Sequence, residues 1–557
     1  MFKCKQLLRR ICVVSYVFLL CGGLVNASNL VSKTNTLIGT QGNGWASGYL
    51  YPGATYPFGM VQFTPTYFTK QLGFVINQLS GAGCDHMGNF PTLPIAGALR
   101  VSPDSILNMQ TPVGKEIGTA GYYAATVDHS IRAELTVTER TGMARYTFSS
   151  KEKQGTVIIG GGVAATSIQV AAIKITGPHS CEGYAEGGAF CGIPTPYKVY
   201  FVAEFDADAE SFGTWKEERL HANHTFAEGS HSGVYFTFPL KEGNQAVQYK
   251  IGVSYVSVEN ARENLRVENP AWDFSAVRQA TQDKWNEYLG KIEVEGDNED
   301  RQMQFYTHLY RSLIHPNVCS DVNGEYMGAD SQVHKTARKF YTSFSNWDTY
   351  RTQTALIAML APEETSDIVM SHYLFAEQSG GGFPRWVLAN IETGVMQGDP
   401  TPILVANAYA FGARNYDPRT LLRTMRYGAE VPGANSQGVL TRPGLEQYLE
   451  KGYYDASILL EYTSSDFAIG RFALQACNDE PVCNWYTQRA MNWKNLFNKE
   501  TGWLQSRNED GSWKRYDADW RESTYKNYFW MVPYDLQGLI DSIGAVSYTH
   551  LRAHETT

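Results

Sequence analysis

The run AVQYKIGVSYVSV, residues 246–258, is the last of several strand-like segments in the N-terminal half of the chain. β-Branched and aromatic residues fill these segments, and Gly, Pro, Asn and charged residues separate them. The earlier segments are GTVIIGGGVAA (155–165), YKVYFVAEF (197–205) and GVYFTFPL (233–240). Many short strands with frequent turn residues predict a β-sandwich.

From about residue 260 onwards the pattern becomes helical. AVRQATQDKWNEYLGKI (276–292) and EDRQMQFYTHLYRSLI (299–314) place apolar residues three and four apart, as amphipathic helices do. Gly- and aromatic-rich loops separate the later helical candidates, and no strong repeat of fixed period indicates a solenoid. These candidates lie at residues 363–378, 402–414, 417–430, 464–476 and 483–497.

A chain of 557 residues is long enough for two large domains. We predict a multidomain fold that combines β and α structure. An N-terminal β-sandwich is expected at residues 28–260, a helical linker at residues 261–296 and an all-α domain of helical hairpins at residues 297–545.

The N-terminus has the features of a signal peptide at residues 1–27. Four basic residues precede the apolar run ICVVSYVFLLCGGLV, and a small-residue cleavage site follows it. The run is short for a membrane span, so we expect no span in the mature chain. Lipid attachment at Cys21 fits less well because Leu20 precedes it. We expect an exported protein, periplasmic or secreted, that begins near Ser28.

The chain ends with VSYTHLRAHETT, residues 546–557, which continues neither a helical nor a strand pattern. We expect this segment to be a non-native tail that arises from translation of a sequencing adaptor. The natural protein would then continue beyond about Ala545. A stop codon directly after Thr557 in the genomic locus would refute this expectation.

The composition excludes some classes of partner. The net charge is -9, and no block of Lys or Arg follows the N-terminus, which argues against nucleic acid. Aromatic residues make up 13% of the chain, and Tyr (34) outnumbers Phe (26). A flat apolar face with a polar tip suits sugar rings, although ordinary packing explains the same composition.

Six of the nine cysteines lie outside the predicted signal peptide. Two pairs have spacings that suit small disulfide loops in an oxidising compartment. In the first pair, Cys181 and Cys191 flank the stretch EGYAEGGAF, which we interpret as a Gly-rich loop. In the second pair, Cys477 and Cys483 flank NDEPV. Cys84 and Cys319 have no obvious partner and are expected as buried small residues. No C-x-x-C or H-E-x-x-H motif indicates zinc.

Two of the loops that stand out lie before residue 352. A Gly-rich stretch at residues 39–65, followed by NQLSGAGCDHMGNFP, lets the backbone approach a ligand, but tight packing explains it equally well. In SFSNWDTYR (343–351), Trp347 could stack on a sugar and Asp348 could accept hydrogen bonds from two hydroxyls. Arg351 would share a helical face with Asp348. The alternative is a helix cap with an ion pair and a core Trp.

The other two loops lie further on. GGGFPRWVLANIETGVMQGDP (380–400) offers Arg385, Trp386 and Asp399, although Asp399 could simply cap a helix that starts near residue 400. In RESTYKNYFWMVPYD (521–535), Glu522 precedes a run of aromatics. A carboxyl packed among rings loses hydration and can stay protonated, as the general acid of a glycosidase requires. The alternative is a surface Glu paired with Arg521.

These stretches, in this order, resemble glycoside hydrolase family 92, the calcium-dependent exo-acting α-mannosidases. PGATYPFGMVQFTP and QLSGAGC are similar to the N-terminal motifs of the family, and FSNWDTYR is similar to its tryptophan-aspartate-threonine loop. PRW, MQGD and WMVPYDLQGLI follow in the right order, so the match runs from about Gly39 to Gly544. The resemblance implies a β-sandwich joined by helices to an (α/α)₆ barrel, here incomplete at its C-terminus.

The resemblance also implies roles for individual residues. Alignment on Tyr528 and Trp530 puts Glu522 at the position of the general acid, although Ser523, Thr524 and Lys526 depart from the family's pattern. Asp348 would bind hydroxyls of the terminal mannose, and Trp347 and Trp386 would shape the pocket. The remaining candidate substrate-binding residues are Arg351, Arg385, Asp399 and Cys84. Gln78 and Asn89 stand where His and Asp are common, which affects an outer subsite.

The implied reaction is an inverting, calcium-assisted single displacement that releases terminal α-linked mannose from glycans. Ca²⁺ would be held by carboxylate and carbonyl oxygens. In the family, the general base and the main calcium ligands lie in motifs closer to the C-terminus than anything here. We therefore expect the product of the complete gene to be an enzyme and the 557-residue chain alone to be inactive or nearly so.

Two alternatives stay open. Another (α/α)₆-barrel carbohydrate enzyme, such as a glucosidase or a disaccharide phosphorylase, shares the sandwich-plus-barrel plan. A non-catalytic glycan-binding protein could keep the aromatic pocket without turnover. The sequence fixes neither the mannose linkage nor the oligomeric state.

Overall fold

The computed structural model describes residues 29–40, 48–65, 73–103, 113–242 and 245–544. The predicted signal peptide and the predicted tail lie outside these residues. The N-terminal part forms two antiparallel β-sheets, and the C-terminal part is mainly helical, as the fold class predicted from the sequence requires. Within the described residues, no helix has the length and apolar character needed to cross a membrane.

The first sheet has eight strands among the described residues. In spatial order they are Ala54–Thr55, Gln62–Pro65, Phe74–Val75, Thr92–Ala96, Gln154–Gly160, Ser232–Pro239, Ser211–Lys216 and Arg219–Ala222. The second sheet has nine described strands. In spatial order they are Phe226–Glu228, Ile168–Gly177, Ser180–Phe190, Ile193–Phe205, Ala246–Ser254, Thr141–Thr147, Ile131–Val137, Tyr122–Val127 and Val113–Thr119.

The core of the sandwich lies between the facing sides of the two sheets. Along the strand Ile193–Phe205, every second residue from Tyr197 onwards is buried, as expected for a strand with one face on a core. The ring of Phe205 lies 5.0 Å from Phe236 and 4.9 Å from Phe238 of the other sheet. Each such buried aromatic contributes roughly 2–3 kcal/mol to the free energy of folding.

Two helices connect the sandwich to the helical region. The last sheet strand ends at Ser254, and the helix Val258–Glu268 begins after Ser257, whose Oγ accepts a hydrogen bond from the Asn260 amide at 3.0 Å. The second helix is Phe274–Leu289. Its Trp285 is fully buried and donates a hydrogen bond to the Thr55 carbonyl at 2.7 Å, which fixes the helix against the sandwich.

The helical region contains helices of very different lengths. Their bounds are Glu299–Ser312, Asn346–Thr349, Gln353–Leu360, Pro362–Glu377, Thr401–Ala410, Pro418–Glu430, Leu445–Lys451, Ala456–Cys477, Glu480–Ala490, Tyr525–Tyr528 and Leu536–Ile543. Short 3₁₀ helices lie at Leu30–Lys33 and Met491–Leu496. The small strands of this region are Asn317–Val318, Glu325–Met327, Val333–Lys335, Tyr341–Thr342, Phe344–Ser345, Trp386–Leu388, Ile391–Glu392, Asn435–Ser436, Val439–Leu440, Phe497–Asn498 and Trp503–Leu504.

The longest helix of this region, Ala456–Cys477, is buried over most of its length. Two acidic residues on it, Glu461 and Asp466, are fully buried. A buried carboxylate needs charged or hydrogen-bonding partners, so both residues fix the elements around them.

The sandwich and the helical region share an apolar core. Phe58, from the N-terminal part, packs its ring against Tyr288 and Tyr341, at centroid distances of 6.1 Å and 6.5 Å. The Phe58 amide donates to the Leu313 carbonyl at 2.9 Å, and the Val318 amide donates to the Phe58 carbonyl at 2.8 Å. These contacts hold the N-terminal loops beside the helical region.

Candidate active site

A cavity of about 750 Å³ lies between the sandwich and the helical region. The N-terminal part contributes Tyr49, Leu50, residues 79–84, Phe190 and Cys191 to its lining. The helical region contributes side chains from four separate segments, including His315, Asp348, Trp386 and Glu522. Four residues singled out in the sequence, namely Cys84, Asp348, Trp386 and Glu522, therefore line one cavity.

Asp348 lies in the short helix Asn346–Thr349 at the cavity wall. The buried Asn346 anchors this helix, because its side-chain amide donates to the Pro384 carbonyl at 3.1 Å and to Thr401 Oγ1 at 2.9 Å. Desolvation raises the pKa of the Asp348 carboxyl, while a hydrogen bond from Ser345 and the charge of Arg351 lower it. The carboxyl is exposed on the wall and accepts hydrogen bonds, so a sugar hydroxyl in the cavity is a suitable donor.

Trp347 and Arg351 do not line the cavity, and both contact Glu461. Trp347 Nε1 donates to Glu461 Oε1 at 2.9 Å, and Arg351 Nη2 lies 3.2 Å from the same oxygen. The Arg351 guanidinium also stacks over the Trp347 ring at 4.5 Å. Arg351 therefore pairs with Glu461, and the ion pair with Asp348 considered from the spacing is not formed.

Glu522 lies on the cavity wall with an exposed side chain. The aromatic residues near it pack against one another: Trp520 lies 5.4 Å from Tyr528, and Trp503 lies 5.3 Å from Phe529. The expected packing of the carboxyl among these rings is therefore not observed. Among the described residues, Glu522 forms no ion pair, including none with Arg521, so the surface-pair alternative is not observed either.

The backbone at Glu522 is in the left-handed region, with φ +51°. This conformation costs a non-glycine residue roughly 1–2 kcal/mol, and such strain concentrates at functional sites. The strained residue lies three positions before the helix Tyr525–Tyr528 and lines the cavity.

Trp386 forms a wall that is continuous with the sandwich. Its ring lies 4.3 Å from that of Phe190. The buried carboxylate of Glu392 holds the backbone here, because it accepts hydrogen bonds from the amides of Arg385 at 2.6 Å, Trp386 at 3.2 Å and Gly394 at 2.8 Å. Trp386 is thereby fixed as an apolar face on the cavity.

Arg385 and Asp399 do not line the cavity, which differs from the role expected for them. The Arg385 guanidinium donates to the carbonyls of Gly398 and Leu440, each at 3.0 Å. Asp399 pairs with Arg442 at 2.8 Å, and the helix that follows is capped by Pro400 rather than by Asp399. Both charges are buried and need these internal partners, so neither is free for a substrate.

The disulfide bond pairs cysteines that the spacing did not. Cys84 and Cys191 are bonded, with Cα atoms 5.2 Å apart. Cys181 and Cys191 cannot pair, because the strand Ser180–Phe190 separates them by roughly 30 Å. Cys181 is a free, buried thiol instead.

Two further expectations about cysteines have different outcomes. The predicted bond between Cys477 and Cys483 is not formed, because both are free thiols, and Cys483 Sγ contacts Thr487 Oγ1 at 3.9 Å. Cys319 is free and buried, as expected. The bonded Cys84 was expected to be a buried apolar residue, and that expectation was wrong.

The two outer-subsite positions, Gln78 and Asn89, are not among the residues that line the cavity. Gln78 is buried, and its side-chain amide has no hydrogen-bond partner among the described residues. Asn89 Oδ1 accepts from Tyr197 at 2.7 Å and from Asn77 at 3.0 Å, so Asn89 ties its loop to the sandwich.

The sequence did not reveal two residues that the structure brings to the site. His315 lines the cavity, and its Nε2 accepts a hydrogen bond from the Ser80 amide at 3.0 Å. Burial lowers the pKa of His315 to about 4, so this histidine is neutral near pH 7. Glu461 lies behind Asp348. Its only sequence signal is a lone charge within the apolar run ILLEY.

The part of the chain that the structure describes brings together no group of three or more His, Cys, Asp or Glu side chains that could hold a metal ion. The carboxylates on the cavity wall are those of Asp348 and Glu522. These described residues alone do not form the hard-oxygen set that Ca²⁺ requires.

Comparisons with known proteins show which family the two parts of the chain match. The model of the glycosyl hydrolase family 92 N-terminal domain matches residues 34–254. The model of the glycosyl hydrolase family 92 catalytic domain matches residues 260–551. An uncharacterized secreted glycosidase of Arthroderma benhamiae is 24% identical to this chain. The match covers 93% of this chain and 73% of the relative.

Solved structures of the same family have a similar fold. A GH92 α-mannosidase from Bacteroides thetaiotaomicron superposes with a TM-score of 0.85 at 24% identity, covering 94% of this chain and 74% of that one. An inverting GH92 mannosidase from Bacteroides thetaiotaomicron VPI-5482 gives a TM-score of 0.83 at 26% identity, covering 92% and 72%. The α-mannosidase has also been solved in complex with mannoimidazole, and that structure gives a TM-score of 0.84.

Proposed function

Because the chain belongs to glycosyl hydrolase family 92 and is a glycoside hydrolase, we propose that it is an exo-acting α-mannosidase that releases terminal α-linked mannose from glycans. The observation that carries this proposal is the presence of Glu522 and Asp348 on the wall of one cavity. The structural neighbours named as α-mannosidases, one of them bound to mannoimidazole, support the choice of mannose. The relative described as secreted supports export of the protein.

Glu522 is proposed to act as the general acid. It would protonate the glycosidic oxygen as the bond between that oxygen and the anomeric carbon breaks. A sugar seated in the cavity would displace water from around the carboxyl, so that the carboxyl faces the glycosidic oxygen. The exposed position of Glu522 on the wall leaves its carboxyl accessible to the leaving group.

Asp348 and Trp386 are proposed to bind the terminal mannose. The Asp348 carboxylate would accept hydrogen bonds from sugar hydroxyls, and charge-assisted bonds of this type are stronger than neutral ones. The fixed ring of Trp386 would cover an apolar face of the sugar. Together they hold the anomeric carbon in position relative to Glu522, which reduces the entropy cost of reaching the transition state.

We propose an inverting single displacement, in which a water molecule attacks the face of the sugar opposite to the leaving group. The carboxyl that activates this water lies roughly 6.5–9.5 Å from the acid in such enzymes. We assign this role to none of the described residues. The neighbour described as an inverting mannosidase supports this stereochemistry.

Calcium is the cofactor implied by the family resemblance. When bound, it would coordinate sugar hydroxyls and help to distort the ring. The described acidic residues do not form a site for it, and none of the steps above depends on the ion. We propose calcium dependence as a separate property, to be tested with a chelator.

The test is to incubate the product of the complete gene with an α-linked mannobiose and to follow the reaction by proton NMR. We expect the complete product to release mannose, initially as the β-anomer, and to lose activity in a chelator until Ca²⁺ is restored. An α-linked glucose disaccharide is the matched control and should not be cleaved. Release of glucose, a requirement for phosphate, or the absence of any cleavage would each refute the proposal.

A further inference from the structure

Behind the cavity wall, one buried carboxylate collects three side chains from a single short segment. Glu461 is fully buried on the helix Ala456–Cys477. Its Oε1 accepts from Trp347 Nε1 at 2.9 Å and lies 3.2 Å from Arg351 Nη2. Its Oε2 accepts from the Tyr350 hydroxyl at 2.9 Å. Glu461 lies outside the cavity lining, so it cannot touch a substrate there.

These three contacts fix the conformation of the segment from Trp347 to Arg351. Burial raises the pKa of the Glu461 carboxyl, while the charge of Arg351 and the bonds from Tyr350 and Trp347 lower it. Removal of a partner leaves a buried polar group without a hydrogen bond, which costs more than the bond itself contributes. The segment that contains Trp347, Tyr350 and Arg351 is therefore held in one arrangement.

The same segment carries Asp348, whose carboxyl is on the cavity wall. Arg351 also reaches the other side of the site, because its Nη1 contacts Met531 Sδ at 3.6 Å, just beyond the helix Tyr525–Tyr528. Glu461 thus directly contacts residues on both sides of Asp348 in the sequence. Through Arg351, it also contacts the segment that follows Glu522.

We propose that Glu461 is a positioning residue of this enzyme, which sets Asp348 relative to Glu522 through Trp347, Tyr350 and Arg351. This inference rests on the proposed function, since it assumes that Asp348 and Glu522 act on the same sugar. Misplacement of a reacting or binding group by about 1 Å costs roughly 100-fold in rate, so such a residue affects turnover without touching the substrate.

Asp466 provides a matched control on the same helix. It is fully buried and paired with Arg442 at 2.8 Å and Arg489 at 2.5 Å, as Glu461 is paired with Arg351. Asp466 and its two arginine partners do not line the cavity. A loss of activity caused only by a broken buried ion pair should therefore also appear when Asp466 is changed.

The experiment compares Glu461→Gln with Asp466→Asn in the product of the complete gene. For Glu461→Gln we expect kcat/KM on mannobiose to fall about 10- to 100-fold at a temperature where circular dichroism shows the variant folded. For Asp466→Asn we expect a lower thermal midpoint and a kcat/KM of the folded protein within about twofold of wild type. In an Asp348→Asn background, Glu461→Gln should cause little further loss, because both changes act through the same contact.

Tyr350→Phe serves as a second variant, since it removes one donor to Glu461 and keeps the ring. We expect a loss of about tenfold in kcat/KM, equivalent to one hydrogen bond to a charged group. This variant tests the inference if Glu461→Gln does not fold. Unchanged kcat/KM in the folded variants, or a loss that only follows the folded fraction as in Asp466→Asn, would overturn the inference. Wild-type protein that releases no mannose would instead refute the proposed function.

Discussion

At the scale of single residues, Asp348 combines exposure on the cavity wall with a raised pKa. Desolvation by the surrounding protein makes the charged form less favourable than it is in the unfolded chain. A carboxylate whose charged form is disfavoured in the folded protein lowers the free energy of unfolding at neutral pH. Such a cost is common where a side chain serves binding rather than folding.

Replacement of Asp348 by Asn should therefore stabilise the protein at neutral pH. The folded pKa lies above the unfolded value of about 3.9, so the favourable contribution of this group is complete below the unfolded pKa and is lost as pH rises through the folded pKa. We expect Asp348→Asn to raise the thermal midpoint at pH 7 and the gain to shrink as pH falls towards 4. Mannose affinity, measured by calorimetry, should fall at the same time.

Thermal scans at several pH values, with Ser345→Ala as a control that only removes a donor to Asp348, would check this expectation. A midpoint at pH 7 below that of the wild type would show that Asp348 supports the fold rather than ligand binding.

The candidate site could be predicted in part from single residues. Asp348 and Trp386 belong to short motifs rich in Trp and in turn residues, and those motifs identified them. Arg385 and Asp399 belong to a motif of the same kind, but in the structure both have internal partners. A sequence does not show which charges are paired inside the fold. Glu461 was missed because the contacts that define it join residues about 110 positions apart.

At the scale of elements, the strand Ser180–Phe190 shows why the sequence pattern led to a wrong disulfide prediction. Its sequence contains Gly183, Gly187 and Gly188, which have low strand propensity and suggest a loop. The ladder to its neighbour Ile193–Phe205, with Tyr184 opposite Tyr200, supplies the missing stability. The loop interpretation led directly to the wrong pairing of Cys181 with Cys191.

The bond between Cys84 and Cys191 joins two loops of the cavity wall. Replacement of both by Ser should lower the free energy of unfolding by about 2–5 kcal/mol, because a covalent link restricts the unfolded chain. We also expect KM for mannobiose to rise more than kcat falls, since the affected wall is proposed to bind substrate. Denaturant unfolding and steady-state kinetics measure the two effects.

Cys477→Ser is the matched control, because Cys477 is a free thiol away from the cavity. Equal stability of the control and the double variant would contradict a structural role for the disulfide.

At the scale of the whole molecule, the cavity exists only where the sandwich meets the helical region. The fold class could be predicted because strand and helix periodicities are local properties of the sequence. The cavity could not be predicted in the same way, since its lining combines residue 49 with residue 522.

Because the two parts share a core around Phe58, we expect them to unfold together. Phe58→Ala, at the junction, and Phe205→Ala, within the sandwich, should each cost about 3–5 kcal/mol and lower the midpoint of one common transition in scanning calorimetry. Two resolved transitions, of which Phe205→Ala moves only one, would show that the parts are independent.

The central claim is that Glu522 donates the proton to the leaving group. The direct test is to compare Glu522→Gln with wild type, in the product of the complete gene, on mannobiose and on a dinitrophenyl α-mannoside, whose leaving group departs without a proton. The glutamine variant should lose about 10²–10⁴-fold in kcat on mannobiose and less than about tenfold on the activated mannoside. Equal losses on the two substrates, or full activity of the variant on mannobiose, would contradict the assignment of Glu522 as the acid.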